Sequence, residues 1–239
     1  MSRQRGRSIG RFALLVMLCF ASLQIYFVLR IALMRVVDPA STAFQRSEAW
    51  RLANGPREVS WRQSWVDYDR ISIHLKRAVI AAEDAGFTEH SGVEWDALEQ
   101  AWERNQRAEA QPGRGTPKVV GGSTITQQLA KNLFLGGERS FLRKGQELVL
   151  SYTMEALLGK RRILEIYLDS VEWGEGVFGA EAAARRYFRT GAASLGVQQA
   201  AQLAVMLPAP KRFEKRPGSP YVMGRAATMA ARLGSVDVP

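Results

Sequence analysis

Hydrophobic and polar positions divide the chain into one long apolar run followed by a series of shorter segments with helical periodicity. Residues Phe12 to Leu29 carry no charge and only Ser22 and Gln24 are clearly polar; Arg30 interrupts the run, and Ile31 to Met34 extend it to Arg35. At about 1.5 Å per residue, a helix over this run crosses the hydrocarbon core of a bilayer. Arg3, Arg5, Arg7 and Arg11 precede it, a bias that holds the N-terminus in the cytoplasm, and Arg30 and Arg35 weaken that bias without cancelling it. A cleaved signal peptide is the competing reading, but the run exceeds a usual signal core and no small-x-small site is evident. The expected organisation is a basic cytoplasmic tail (1–11), a retained single-span anchor (12–34), a juxtamembrane connector (35–70) and an extracytoplasmic domain (71–239).

The connector is mixed in character, with Pro39, Pro56 and three tryptophans, Trp50, Trp61 and Trp65. Interfacial contact with headgroups and ordinary packing both account for such tryptophans. Beyond it, the spacing of Leu75, Ala78, Val79 and Ala82 predicts a helix from Ser72 to Asp84, stopped at Gly86. A second helix is predicted from Glu94 to Asn105. A loop over Ala108 to Val120, holding Pro112, Gly113, Gly115 and Pro117 with Arg114 and Lys118, is expected to act as a flap. Further helices are predicted from Thr124 onward, over Glu138–Gly159 with Ser140 as N-cap, over Lys160–Ser170, Ala180–Phe188 and Gln198–Leu207, and from Tyr221 to Leu233. Trp173-Gly174-Glu175-Gly176 turns the chain. No alternating strand pattern stands out, so a mostly α fold is expected.

Two helix ends carry unusual chemistry. Glu83 and Asp84 lie at a C-terminus, where the helix dipole disfavours negative charge, so a carboxyl there should be a better proton acceptor than a surface glutamate. A solvated acidic turn reads the same way in one dimension. In Gly121-Gly122-Ser123-Thr124-Ile125-Thr126-Gln127-Gln128-Leu129-Ala130-Lys131-Asn132, Thr124 and Gln127 have capping-box spacing and Ile125, Leu129 and Leu133 form one apolar side. Thr124, Gln128 and Lys131 fall on another side, beside free N–H groups that suit an anionic or sugar ligand; a capped surface helix is the plainer reading. Arg139, Arg143 and Lys144 cluster at the next helix start around Glu147, as a polyanion clamp would. His90 reads as a structural histidine that holds the turn around Glu83.

Of 239 residues, 46% are hydrophobic, and the formal charge of +10 points to an anionic partner. The single cysteine, Cys19, excludes an intramolecular disulfide, and two histidines, His74 and His90, leave no His-rich zinc site. No nucleic-acid recognition motif accompanies the charge, so no nucleic-acid partner is expected.

Taken in order, Glu83-Asp84-x-x-Phe87-x-x-His90-x-Gly92, the Gly121–Gln128 stretch, Arg143-Lys144-x-x-Glu147, Ile163-Leu164-x-x-Tyr167-Leu168 and Ala200-Ala201-x-Leu203-Ala204-x-x-Leu207-Pro208-x-Pro210 resemble the peptidoglycan glycosyltransferases, glycosyltransferase family 51. The resemblance runs from about Ile71 to the C-terminus. It implies a lysozyme-like helical glycosyltransferase domain with a small membrane-proximal jaw, preceded by one transmembrane helix. It implies polymerisation of lipid II into β-1,4-linked glycan with release of undecaprenyl pyrophosphate, in the bacterial plasma membrane.

By resemblance, Glu83 is the general base and Glu147 the second essential carboxylate. Lys131, Arg139, Arg143 and Lys144 match positions near the donor pyrophosphate, and Ser123, Thr124, Gln127, Gln128 and Asn132 match the groove motif. Asp84, Phe87, His90 and Gly92 are expected to contribute to substrate binding. No cofactor is implied as required, since family members differ in their use of Mg²⁺ or Mn²⁺. The implied partners are lipid II, the growing glycan, membrane lipids and other cell-wall synthesis or division proteins. Asp169 departs from the family's usual Asn, adding charge and removing an amide donor. A glycan-cleaving enzyme of lysozyme type and a non-catalytic membrane-anchored scaffold are the alternative readings.

Overall fold

The computed structural model describes residues 2–56, 60–96, 99–100, 103, 122–138 and 140–239. The 108–120 loop and Arg139 lie outside the described residues, as does much of the helix expected over 94–105.

Helix α1 (Ser2–Leu33) takes in the basic tail as well as the apolar run. Its Gly10–Leu33 stretch has a mean hydropathy of 2.4, and no other helix among the described residues is long and apolar enough to cross a membrane. Phe12, Phe20 and their neighbours are exposed, whereas Phe27, Ile31 and Met34 are buried against the domain. Phe27 meets Phe134 edge-on at 5.3 Å. Gln24 and Gln146 exchange two amide hydrogen bonds of 3.0 Å each, so both amides are satisfied where water is scarce. At the end of α1, Arg162 donates to Met34 O (2.7 Å) and to Asp38 Oδ1 (2.6 Å).

The connector proves to be part of the domain. Thr42 and Gln45 form a capping box that starts α2 (Ala43–Ala53), and the Gln45 amide donates to Ser170 O at 3.3 Å. Strand β1 (Arg62–Gln63) pairs in parallel with β3 (Val177–Phe178), which pairs antiparallel with β2 (Glu172–Gly174), giving the order β1-β3-β2. This small sheet corrects the expectation of no strands. Its members have two or three residues and β2 and β3 are buried on both faces, so they show no alternation. Gly179 has φ +88° and a Cβ there would stand 2.9 Å from Ser64 O and Asp169 O, so glycine is required where the sheet meets the following helix.

Helices α3 (Ile73–Glu83), α4 (Ile125–Phe134), α5 (Phe141–Ser170), α6 (Ala180–Phe188), α7 (Val197–Met206), α8 (Pro210–Phe213) and α9 (Pro220–Ala230) complete the described architecture. Gly159, at φ 72°, breaks α5 where the sequence ends one helix and starts the next. The apolar side of α4 packs on α5, while α3, α7 and α9 pack on one another. Leu75, Ile125, Leu129, Leu150, Met154, Ile163, Leu164 and Leu203 form the core between them. The C-terminal end of α3, the polar side of α4, helix α2 and the Leu207–Pro210 turn enclose a cleft of about 720 Å³.

Candidate active site

Glu83 closes α3 and lines the cleft with Gln128, Lys131, Asn132, Arg143 and Tyr167. One oxygen, Oε2, accepts 2.9 Å from the Gln128 amide, and Gln128 Oε1 accepts in turn 3.0 Å from the Tyr167 hydroxyl. That phenol therefore fixes which end of the amide faces Glu83. The other oxygen, Oε1, is buried without a partner. Burial raises the pKa of Glu83, the Gln128 bond opposes that rise, Asp84 adds to it and Lys131 opposes it, with a net shift upward. An unpaired carboxylate oxygen of raised basicity in a cleft is a proton acceptor.

The facing wall is cationic. Lys131, from the polar side of α4, has no hydrogen-bond partner for its ammonium among the described residues. Burial lowers its pKa; the Glu147 carboxylate opposes that, and the Arg143 and Lys144 charges add to it. Glu147 is buried, with Arg143 Nη1 at 2.8 Å from Oε2 and Lys144 on Oε1. Lys144 also donates to Ser123 Oγ at 3.3 Å. Both Glu147 oxygens are thus engaged by cations, and this donor set does not fit a divalent metal. Its evident effect is to hold Arg143 and Lys144 in place beside Lys131.

Six residues expected to bind substrate stand behind the cleft instead. Asp84 Oδ2 accepts from the Ile125 amide at 2.9 Å, capping α4, and Oδ1 accepts from His90 Nε2 at 2.8 Å. His90 Nδ1 accepts from the Gly92 amide (3.1 Å), which makes Nε2 the N–H that donates. The Thr124 hydroxyl donates to Gly92 O (2.7 Å), while Gln127 is buried in the capping box. Phe87 is buried under the Lys160 ammonium, 4.5 Å from its ring centroid. Gly92 has φ +91°, and a Cβ would lie 2.9 Å from Glu155 Cγ. Asp84, Phe87, His90, Gly92, Thr124 and Gln127 thus tie the end of α3 to the start of α4, setting the distance between Glu83 and its Gln128 partner. The sequence reading of Thr124 as a ligand-facing hydroxyl fails because N-capping consumes that oxygen.

A family profile described as Transglycosylase matches residues 53–233. The chain belongs to the transglycosylase family. Its sequence is similar to the biosynthetic peptidoglycan transglycosylase of Burkholderia thailandensis, 52% identical over 242 residues that cover 100% of this chain and 92% of that protein. It is likewise similar to the protein of the same name from Bordetella pertussis, 53% identical over 227 residues, with 95% and 90% covered. A third, from Paraburkholderia xenovorans, is 50% identical over 225 residues, covering 94% and 90%.

The departure from the family pattern at Asp169 has a structural resolution. The side chain is fully buried; Oδ1 accepts from the Val66 amide at 3.3 Å and Oδ2 has no partner. Burial pushes this carboxyl up to about 8, which favours the neutral form at pH 7, with one O–H where asparagine would carry two N–H donors. The charge expected from the sequence is therefore largely absent.

Sequence reasoning also missed two parts of this transglycosylase-family cleft. Ala43, Phe44 and Ser47 of α2 line it, from a stretch read as connector. Glu172 of β2 lines it too, held 3.3 Å from Lys211, whose ammonium also reaches Glu48 at 2.5 Å. Burial raises Glu172 to about 7. The capping-box pair Thr42 and Gln45 was the available signal for α2. Nothing local marks Glu172.

Proposed function

We propose that the chain polymerises lipid II into β-1,4-linked glycan, releasing undecaprenyl pyrophosphate. The observation that carries this reading is the buried Glu83 carboxylate, one oxygen of which has no partner, lining a cleft that also holds Lys131 and Arg143. The acceptor's GlcNAc 4-hydroxyl attacks C1 of the donor MurNAc as Glu83 takes its proton. The bond from C1 to the pyrophosphate oxygen breaks, and an α-linked donor becomes a β-linked product in a single inverting step. The leaving group departs as a polyanion whose charge Lys131, Arg143 and Lys144 offset, so no general acid is needed. Gln128 and Tyr167 keep the carboxylate aimed, and no metal step is required.

The anchor supports the same reading. Gln24 lies nine residues before the end of α1 at Leu33, roughly 14 Å along the helix axis at about 1.5 Å per residue. Its bond to Gln146 holds the second turn of α5 against the anchor, near Phe141 and Leu142, which are 96% and 88% exposed, and this supports membrane contact by that end of α5. The arginines before the span support an extracytoplasmic domain at the bacterial plasma membrane.

Purified full-length protein with labelled lipid II tests the proposal by gel separation of products. A ladder of glycan chains that Glu83→Gln abolishes is expected. Shortening of finished glycan with no growth from lipid II would point to a hydrolase and overturn it.

A further inference from the structure

A second cavity, of about 560 Å³, lies on the far side of the Leu207–Pro210 turn from the catalytic cleft. Pro208 lines both, and Ala82, in its wall, directly precedes Glu83 on α3. The two spaces are therefore neighbours separated by one turn of chain. The floor is small and apolar, built from alanines of α3 and α7 that let a ring approach the backbone closely. On one side Phe213 and Tyr221 stack with centroids 5.9 Å apart and an interplanar angle of 11°. Tyr221 is 58% exposed outside this stack. Arg212 and Arg225 stand at the same cavity, Arg212 with its guanidinium 5.6 Å from the Phe213 ring, and among the described residues neither pairs with a carboxylate.

We propose that this cavity is a distal glycan subsite, which holds the saccharide already polymerised and its anionic stem peptides. The inference rests on the lipid II reading above. Flat aromatic faces suit the apolar faces of pyranose rings, and two unpaired guanidiniums suit carboxylates bidentately. A lipid tail is a poorer match, because the groove is built by α3, α7, α8 and α9, whereas the anchor docks on α5. Retaining the product next to the catalytic cleft slows its escape between successive additions, so the subsite governs chain length rather than the rate of each coupling.

The test compares full-length wild type with Tyr221→Ala, with the double charge reversal Arg212→Glu/Arg225→Glu, and with the conservative pair Arg212→Lys/Arg225→Lys. Labelled lipid II is the substrate. Mean glycan length should fall about tenfold in the first two variants, the equivalent of one lost charge-assisted or stacking contact. Initial lipid II consumption should stay within about twofold of wild type, and the lysine pair should restore much of the length. Lipid II with amidated stem carboxylates should shorten wild-type products and leave those of the charge-reversed variant unchanged. Unaltered length in both variants, or loss of length only in proportion to initial rate, would overturn the proposal. A measurement independent of turnover separates it from the catalytic reading: calorimetric binding of soluble peptidoglycan tetrasaccharide-peptide fragments. Weaker binding by the charge-reversed variant, even with a wild type that makes no polymer, would keep the subsite and sink the polymerase reading. Equal binding by all variants would sink the subsite.

Discussion

Replacing Asp169 by asparagine separates a buried carboxyl's cost from its packing. The amide keeps the size, and its oxygen can accept the Val66 amide as Oδ1 does now. Folding holds the carboxyl at about 8 against an ordinary 3.8. Below the ordinary value both folded and unfolded chains are protonated and the group costs nothing. Between the two values the unfolded chain ionises while the folded one stays neutral, so stability is lost steadily as pH rises, and the loss levels off above the folded value.

At pH 7 the interval above 3.8 is about three units, which at about 1.4 kcal/mol per unit sets a ceiling on the order of 4 kcal/mol. Relaxation around the site and an amide N–H₂ with no partner in place of Oδ2 reduce it to about 2 kcal/mol. A protein of this size gains roughly 2–4 °C per kcal/mol, so Asp169→Asn should melt about 4–8 °C higher than wild type at pH 7. Near pH 4, where only the unpaired amide N–H₂ distinguishes the two, Asp169→Asn should melt at or slightly below wild type, with the balance shifting in its favour until about pH 8. Differential scanning fluorimetry in one detergent across that range is the assay. Parallel melting curves at every pH would show that Asp169 is ionised in the folded state and refute the reasoning.

Further outcomes concern the site and the anchor. Glu83→Gln should lower turnover by about a hundredfold or more while lipid II binding survives, measured by single-turnover kinetics and a binding titration. Because Glu83 must be ionised to act and its pKa is raised, activity should fall with decreasing pH on a limb above the ordinary carboxylate range. Tyr167→Phe frees the Gln128 amide, so that limb should move further upward and kcat should drop about tenfold with KM little changed. Lys131→Ala should weaken donor use about tenfold at an unchanged melting temperature, whereas Arg143→Ala should also lower that temperature, because it strips one partner from buried Glu147. Gln24→Leu leaves the Gln146 amide unpaired beside lipid, and a cysteine cross-link between α1 and α5 should then form more slowly than in wild type.

Much of the helical plan is written locally. The apolar run, the Thr124–Gln127 capping box, the Ser140 cap and the break at Gly159 each depend on a few neighbouring residues, and each stands in the structure at the position the pattern indicates. Glu83 and Glu147 were legible for a related reason: a carboxylate at a helix C-terminus and one among three cations both conflict with the neighbouring sequence. What the sequence left open depends on contacts distant along the chain. Whether Glu83 meets an amide is decided by Asp84, His90 and Thr124 bridging α3 to α4 across about forty residues, and the pattern of either helix alone contains no trace of it. The sheet escaped notice because strands of two or three residues are too short to show a period, and α2 because its use as a cleft wall follows from docking rather than amphipathicity. Asp169 is the sharpest case. Its identity predicts a charge, and only its complete burial beside Val66, 103 positions away, favours the neutral form. Local sequence chose the helices and the unusual carboxylates; desolvation, which exists only once the chain has packed, chose their protonation and their partners.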